Sequence, residues 1–598
     1  MATKAKKRTN KKQRRASNPA IDRATAQKTA LQPESETAKS PTGPVWPAYA
    51  SALCLWLSFA PAQFSFLAWF APLGWLSFAT RPTLTRRDYY HLWLSGCCFW
   101  LATLQGIRLA FWALYFGWFA LSVYLAIYTP LFVGLTRNLL RRRIPLFLVA
   151  PAIWVGLEFA RSYVLTGFCS NMLAHTQAHW PLMIQIADQL GAYGVSFLVM
   201  LVAVALRDAW CSFAAPSPTN AWGKLGICLA VLGFAGNLAY GAYKLGELPA
   251  RTAATEDQAL LRVMLVQENA PTIFDAEPNA IMSGWHKYLD ATRSEAKKYA
   301  AIDLIVWPES TFTGGVPWID SNLPDTLPVV DGQPLERERL VYSLARNEQE
   351  QAFRFGQLGS AGRAENEQAA TPHLLLGCDA MVITSERIVR YNSAIWVDEN
   401  GQYRDRYDKM HLVMFGEYFP LGSMLQFLRD MFGTVDFGQE PKTFEINGCR
   451  VAPNICFESM MPRVIQSQVA QLDADGKSPD LLINLSNDSW FHGSSMLDHH
   501  LACSILCAVE NRRPMLAAAN TGISAEIDGA GRVLKSTDKA ASVGLLAMPQ
   551  GDGRRGLVQG WGYPLAWCCM LLVLGSVLSA WLPRRSDKAA ESENSQDS

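Results

Sequence analysis

Charged residues are scarce in this chain of 598 residues: they make up 18% of it, whereas hydrophobic residues make up 50%. A composition this apolar argues against an ordinary soluble enzyme and indicates a membrane protein. The mean hydropathy is nevertheless only +0.05, which is too low for a chain embedded entirely in a bilayer. One part of the chain is therefore expected to be water-soluble.

A large excess of charge of either sign is also missing, because the formal net charge is +2. Basic residues cluster beside apolar stretches, as in KAKKR near the start, RNLLRRR at 137–143 and PRRSDK at 583–588. Such clusters orient membrane segments. We therefore expect contact with a membrane and no nucleic-acid partner.

The 13 cysteines include no CxxC pair, and none has metal-ligand spacing with a histidine. Several lie inside apolar runs, among them Cys97, Cys98 and Cys568. The sequence therefore predicts no zinc site, no other metal, no cofactor and no disulfide framework.

Large apolar side chains are almost absent from residues 1–44. Such a segment cannot bury enough surface to offset the entropy of ordering. We predict a disordered cytoplasmic tail there, and a second cytoplasmic tail at 584–598.

Long apolar runs begin after this tail and predict about eight transmembrane helices. Seven fall in a membrane domain at 45–244, and the eighth forms a C-terminal helix at 562–583. The segments lie near 46–60, 64–80, 90–108, 111–136, 145–164, 184–206, 222–243 and 563–582. The first two are short, and a hairpin around Pro61 is an alternative for them.

Loop charges predict the orientation, because short loops rich in Lys and Arg stay in the cytoplasm. With the amino terminus inside, the basic loops at 81–88 and 137–143 fall inside, as does the closing tail. Seven crossings then place residues 245–560 outside the cytoplasmic membrane. If one weak segment does not span, the same residues lie inside.

Residues 259–548 alternate short β-rich runs with polar helical ones, which is typical of an α/β domain. Helices are predicted near 336–353 and 497–512, and 355–371 is interpreted as a solvated loop insertion. One further helix carries an apolar face, made of Trp285, Tyr288, Leu289, Thr292, Ala296 and Tyr299.

Three polar residues stand at or just beyond the ends of predicted strands, where α/β folds gather their active sites. Glu309 follows LIVWP, Lys409 follows RYD and Cys456 follows VAPNI. Each alone has a plainer interpretation: a helix-capping Glu, a solvated Lys and a buried structural Cys.

Together the three segments resemble the nitrilase (carbon-nitrogen hydrolase) superfamily, whose Glu-Lys-Cys triad has this order. The resemblance extends to NLSNDSWF at 484–491 and to 510–528. In the apolar half, SFAPAQFSFLAWFAPLGWL and WVGLEFARSYVLTGF are similar to the apolipoprotein N-acyltransferases.

The resemblance implies a multi-pass membrane domain joined to an αββα sandwich that transfers acyl groups. Cys456 is then the nucleophile, Glu309 the general base and Lys409 the charge that stabilises the oxyanion. Glu417 and Glu458 match further acidic residues of the site. We expect Glu417 to hold Lys409 and Glu458 to support the loop.

Four further residues are expected to contact substrate. Phe274 stands where the family usually has Trp, and Phe457 where Tyr is common, so packing is the favoured role of Phe457. Met424 and Leu428 lie on an apolar stripe of 412–432. That stretch is interpreted as an arm dipping into the membrane, with core packing as the alternative.

The implied partners are a phospholipid acyl donor and a diacylglyceryl apolipoprotein acceptor. The implied location is the bacterial cytoplasmic (inner) membrane, with the catalytic domain on the periplasmic side. Two rivals remain: a membrane-tethered amidase, and a scaffold or transporter using Arg108, Glu158 and Arg161. Glu158 and Arg161, one turn apart, are expected to pair with each other or with lipid headgroups.

Overall fold

The β-rich runs of residues 259–548 form fifteen strands in the described part of a computed structural model. That part covers residues 43–214, 221–247, 259–271, 278–312, 318–320, 322–330, 333–363, 370–418 and 435–581. The strands are β1 Val263–Gln267, β2 Leu304–Trp307, β3 Trp318–Ile319, β4 Val329–Val330, β5 Gln333–Pro334, β6 His373–Ile383, β7 Ile388–Val397, β8 Tyr403–Asp408, β9 Phe444–Ile446, β10 Cys449–Ile455, β11 Leu481–Ser486, β12 Met515–Ala519, β13 Ala525–Ile527, β14 Val533–Ser536 and β15 Val543–Ala547.

Two sheets contain nearly all of these strands. The first has the order β15-β1-β2-β6-β7-β8, with β3 paired to β6, and the second has the order β14-β13-β12-β11-β10-β9. In the first sheet β1, β2 and β6 are parallel, and in the second β10, β11 and β12 are parallel. Residues that follow parallel strands meet at one sheet edge, so Pro308 and Glu309 after β2 lie beside β6.

The two sheets pack against each other through one apolar core. Val306 and Leu375 belong to the first sheet, Ile455 and Leu485 to the second, and all four side chains are fully buried in the same cluster. Hydrophobic side chains on the facing sides of two sheets hold a sandwich together.

Helices cover the outer faces of both sheets. They are α12 Pro278–Ala296 and α13 Arg337–Ala361 on the first sheet, and α14 Pro462–Ala474 and α15 Met496–Asn511 on the second. The predicted apolar face is confirmed for the part within α12, since Trp285, Tyr288, Leu289, Thr292 and Ala296 are buried. Tyr299 lies beyond the end of the helix and is half-buried. The α/β sandwich expected from the sequence is therefore present.

The expected loop insertion at 355–371 is wrong in its first part. Helix α13 continues to Ala361, and Phe355 and Leu358 are buried. The Phe355 ring stacks on Phe312 with centroids 5.3 Å apart, so this turn packs against the sheet and is not solvated.

The apolar half of the chain is helical. Its helices are α1 Trp46–Ser58, α2 Pro72–Ala79, α3 Arg86–Thr103, α4 Ile107–Ala110, α5 Leu114–Ala126, α6 Tyr128–Arg141, α7 Leu146–Arg161, α8 Pro181–Ile184, α9 Ala187–Leu190, α10 Ala192–Ala214 and α11 Ala221–Gly246. After the sandwich come α16 Leu557–Trp561 and α17 Pro564–Trp581.

Three helical stretches of the described chain are long and apolar enough to cross a membrane. They are Leu114–Arg141, Ala192–Ala214 and Ala221–Gly246, and the apolar stretches Ser65–Ala79 and Pro564–Ala580 are shorter. The tails predicted at 1–44 and 584–598 lie outside the described residues, apart from the last two positions of the first.

Glu158 and Arg161 form no ion pair with each other in the part of the chain that the structure describes, and their pairing with lipid headgroups stays a prediction. Glu158 accepts hydrogen bonds from Trp154 Nε1 and the Leu173 amide, both at 2.9 Å. Arg161 donates to the Ser170 carbonyl and lies over the Trp100 ring. Each side chain keeps one buried polar atom, Glu158 Oε2 and Arg161 Nε, without a hydrogen-bond partner among the described residues.

Polar contacts join the sandwich to the apolar helices. Arg512, after α15, forms a fully buried ion pair with Asp188 of α9 at 2.6 Å. Glu510 of α15 accepts hydrogen bonds from the Ala192 amide at 2.6 Å and from the Tyr563 hydroxyl at 2.8 Å. Helix α15 is thus fixed on one side to the second sheet and on the other to the apolar helices.

Candidate active site

Glu309 is buried where β2 ends, and each of its carboxylate oxygens has a donor. Oε1 accepts from Asn392 Nδ2 at 2.7 Å and from Lys409 Nζ at 3.3 Å, and Oε2 accepts from the Asn487 amide at 2.8 Å. Gly377 of β6 permits this placement, because a Cβ there would lie 2.6 Å from Glu309 Cα. The carboxylate is therefore held in one orientation between the two sheets' strand ends.

Lys409 follows β8 and is 1% exposed. Its ammonium lies 2.8 Å from Glu417 Oε1, closer than to Glu309. Burial by itself would lower the pKa of Lys409, but the Glu309 and Glu417 carboxylates reverse this and hold the pKa well above its usual value. The side chain is therefore a fixed positive charge at neutral pH.

Glu417 is the second carboxylate on this ammonium. Its Oε1 also accepts from Asn392 Nδ2 at 2.9 Å, and its Oε2 accepts from the Val413 amide at 2.8 Å. Burial opposes ionisation of Glu417, yet the Lys409 charge lowers its pKa below the usual value. Asn392 therefore bridges two carboxylates that share one ammonium.

Cys456 is the residue directly after β10, at the start of a 3₁₀ helix at Cys456–Met460. Its φ of +51° is in the left-handed region, a backbone conformation that residues other than glycine adopt only at a cost in free energy. Burial and the Glu309 charge raise the pKa of the thiol well above its usual value, while Lys409 opposes them. The three predicted residues are therefore neighbours, and the thiol is protonated at rest.

Glu458 is completely buried and joins two segments of the site. It accepts from the amides of Met410 and His411 at 2.8 and 3.0 Å, from the Ile455 amide at 2.7 Å and from the Tyr407 hydroxyl at 2.9 Å. Burial raises the pKa of Glu458. This carboxyl group ties the loop after Lys409 to the turn at Cys456.

Comparisons with known proteins identify the family of this chain. An apolipoprotein N-acyltransferase N-terminal domain model matches residues 51–205, and a carbon-nitrogen hydrolase model matches residues 262–552. An apolipoprotein N-acyltransferase of Rhodopirellula baltica is 34% identical over 90% of this chain and 98% of its own length. The chain belongs to the apolipoprotein N-acyltransferase family. Another member, from Geobacter metallireducens, is 30% identical over 84% of this chain and 89% of its own.

Among solved structures, an amidase from Nesterenkonia sp. aligns with 50% of this chain and 93% of its own, at 15% identity and a TM-score of 0.31. This identity and this TM-score are too low to support any inference about the activity of this protein. The carbon-nitrogen hydrolase assignment rests on the family model, whose limits enclose Glu309, Lys409 and Cys456.

Of the four residues expected to contact substrate, only Phe457 is among the described residues. Phe457 stacks on His411, with ring centroids 5.9 Å apart and planes 15° from parallel. Phe274, Met424 and Leu428 lie outside the described residues. The described residues also contain no group of His, Cys, Asp or Glu that could hold a metal ion.

Sequence reasoning missed the polar neighbours of the triad. Asn392 lies within a strand, and its amide reaches Glu309 and Glu417. Asn487 offers its backbone amide to Glu309, and His500 lies 3.2 Å from the Cys456 carbonyl. An asparagine directly before the apolar end of a predicted strand, as in NSAIWV, was the available signal for Asn392, because a buried amide requires partners.

Proposed function

We propose that this protein moves a fatty acyl chain from a membrane phospholipid, through a thioester on Cys456, to the N-terminal amine of a diacylglyceryl-cysteine apolipoprotein. The observation that carries the proposal is the buried cluster in which Lys409 contacts Glu309 and Glu417 beside the Cys456 thiol. This cluster lies in a chain related over 90% of its length to a protein named apolipoprotein N-acyltransferase.

In the first half-reaction the Cys456 sulfur attacks the ester carbonyl. The thiol is protonated, so Glu309 accepts its proton and then passes it to the departing lysophospholipid oxygen. Lys409 supplies a permanent positive charge where the tetrahedral oxyanion forms. Loss of one such group typically costs about a hundredfold in rate or more.

In the second half-reaction the amine of the apolipoprotein attacks the thioester carbon and Glu309 takes the amine proton. The amide forms as the C–S bond breaks, and Glu309 returns the proton to the Cys456 sulfur. An α-amino group titrates near about 8, whereas a lysine amine titrates near about 10.4, so a larger fraction of the α-amine is neutral at pH 7. The site has to exclude water until the amine arrives, because water would hydrolyse the thioester.

The phospholipid donor and the lipid-modified acceptor stay in the bilayer, because each buried CH₂ of their chains adds about 0.8 kcal/mol to the free energy of leaving the membrane. The membrane part of the protein brings the catalytic domain to these substrates. Eight spans, seven at 45–244 and one at 562–583, place the domain at 259–548 on the periplasmic side of a bacterial inner membrane. The three described long helices and the basic loops support this arrangement.

Substrate contacts complete the proposal. Phe274 and Phe457 border the acyl group, and Met424 and Leu428 lie on an arm that dips into the outer leaflet. Activity in membranes that survives the double variant Met424→Glu and Leu428→Glu would rule out the arm, because two buried charges would prevent its insertion.

The deciding experiment incubates the purified full chain with dipalmitoyl phospholipid and locates adducts by mass spectrometry. We expect a palmitoyl-sized adduct on Cys456 that disappears on addition of a diacylglyceryl-cysteine peptide, whose own mass rises by the same amount. Cys456→Ser should abolish transfer. Cys449→Ser, at the other end of β10, is the matched control and should retain it.

A chain that takes no acyl group from phospholipid but hydrolyses a small amide through Cys456 would instead be a membrane-tethered amidase, and the proposal would fail. Transfer that persists in Cys456→Ser would exclude the thioester and reopen the scaffold or transporter interpretation.

A further inference from the structure

A second polar network surrounds the backbone carbonyl of Cys456. The carbonyl oxygen of Cys456 has three donors: Ser459 Oγ, Asn484 Nδ2 and His500 Nε2, each at 3.2 Å. His500 belongs to α15, while Asn484 belongs to β11, so two separate elements converge on one peptide oxygen. The mechanism above uses none of these side chains.

His500 has polar partners at both ring nitrogens. Nδ1 lies 3.3 Å from Asp488 Oδ1, which already accepts from Ser486 Oγ at 2.6 Å, so Nδ1 carries a hydrogen to bond to that carboxylate. Nε2 lies 2.7 Å from Ser459 Oγ and 3.2 Å from the Cys456 carbonyl oxygen. With the single Ser459 hydrogen directed to that carbonyl, Nε2 must donate as well, and in this arrangement the side chain is an imidazolium paired with a carboxylate.

The surroundings agree with a buried ion pair. His500 and Asp488 are 7% and 3% exposed. Burial alone would lower the pKa of His500, but the Asp488 carboxylate raises it above 6.5. Burial likewise opposes ionisation of Asp488, and His500 lowers its pKa.

The geometry points to His500 as a positioning residue that, held by Asp488, locks the Cys456 peptide in the left-handed turn presenting the thiol. The Cys456 φ of +51° persists only if surrounding contacts hold it. The hydrogen bonds from Ser459, Asn484 and His500 all act on the carbonyl oxygen of Cys456. The inference deepens the proposed function and rests on it for the role of Cys456.

Two variants of similar size separate positioning from mere packing. In His500→Gln the amide nitrogen takes the place of Nε2 and still reaches the Cys456 carbonyl. In His500→Asn the shorter side chain reaches Asp488 but not that carbonyl. Substitutions at His499 provide the control, because that neighbour instead packs edge-on against Phe59, the residue after α1, with ring centroids 5.7 Å apart.

The assay uses the full chain in detergent with p-nitrophenyl butyrate and follows the burst of p-nitrophenolate that accompanies thioester formation. We expect the burst rate constant to fall at least about tenfold in His500→Asn, because a small misplacement of a reacting atom carries a large rate penalty. His500→Gln should stay within about threefold of the parent, as should His499→Asn. The half-saturating ester concentration should not change, since the imidazole acts only through Cys456.

Equal bursts in His500→Asn and His500→Gln would overturn the inference, as would a change in half-saturation with an unchanged rate constant. The ester probe contains neither phospholipid nor apolipoprotein. The expected burst pattern without any transfer to a lipoprotein would therefore support the positioning role and reject the proposed function.

Discussion

Lys409 Nζ lies 2.8 Å from Glu417 Oε1 and so closes a buried network in which one ammonium serves two carboxylates. Of the two carboxylates, Glu417 lies nearer to the ammonium than Glu309, which is at 3.3 Å. The charge state of Lys409 thus depends on a residue outside the Glu-Lys-Cys triad.

Glu417→Gln should impair thioester formation. The substitution removes one of the two counter-charges that keep the pKa of Lys409 high, and a weaker charge stabilises the oxyanion less. We expect a fall of about tenfold to a hundredfold in the burst rate constant. Glu440→Gln, at an exposed carboxylate 3.7 Å from Lys442, should leave the rate unchanged; an equal loss there would refute the specific role of Glu417.

Gly377→Ala should displace the proposed base. A Cβ at Gly377 would lie 2.2 Å from the Pro308 carbonyl oxygen and 2.6 Å from Glu309 Cα, which β6 cannot accommodate without shifting the segment. Acylation should be lost even where the protein still folds. Gly356→Ala is the control, since nothing lies within 4 Å of a Cβ there. It should stabilise α13 by up to about 1 kcal/mol, and full activity in Gly377→Ala would show that the base tolerates the shift.

Asp188→Asn should destabilise the contact between the sandwich and the apolar helices. It leaves the fully buried Arg512 guanidinium without its counter-charge. Breaking such a pair typically costs about 3–5 kcal/mol, which thermal unfolding in detergent would measure. Asp290→Asn removes an exposed pair with Arg293 and should cost less than about 1 kcal/mol. Similar losses in both variants would contradict the structural role of Asp188.

Glu510 should make stability depend on pH near neutrality. Burial raises the pKa of Glu510 from 4.5 to about 7, so the folded state binds its proton more tightly than the unfolded state does. The resulting stabilisation is complete below the unfolded value and is lost as pH rises through about 7. The melting temperature of the parent should therefore fall between about pH 5 and pH 7, and Glu510→Gln should reduce this fall.

Glu445→Gln, which alters an exposed carboxylate on β9, is the control for that measurement. It should keep the pH dependence of the parent. An unchanged pH profile in Glu510→Gln would show that Glu510 does not titrate in this range.

Much of the site was predictable because strand ends are local features. Glu309 and Cys456 each follow a short apolar run, Lys409 stands ahead of one, and the resemblance to a known superfamily combined them. Asn392, Asn487 and His500 were not predictable as neighbours, because Asn392 is 83 positions from Glu309 and His500 is 44 from Cys456. The sequence predicted a loop where α13 continues to Ala361, because Gly and polar residues dominate 355–371. The contact of Phe355 with Phe312, which packs this turn, cannot be read from neighbouring residues.

The amino-acid sequence alone determined that this protein combines an apolar helical part with an α/β domain, since hydrophobic runs and their periodicity are properties of consecutive residues. It also determined which residue types stand at the ends of the strands. Only the tertiary structure decided how those ends meet, that Glu417 is nearer to Lys409 than Glu309 is, and that His500 lies beside the Cys456 carbonyl. Apart from Lys409 and Glu417, these contacts join residues far apart in the chain, and packing of the two sheets and α15 sets their distances.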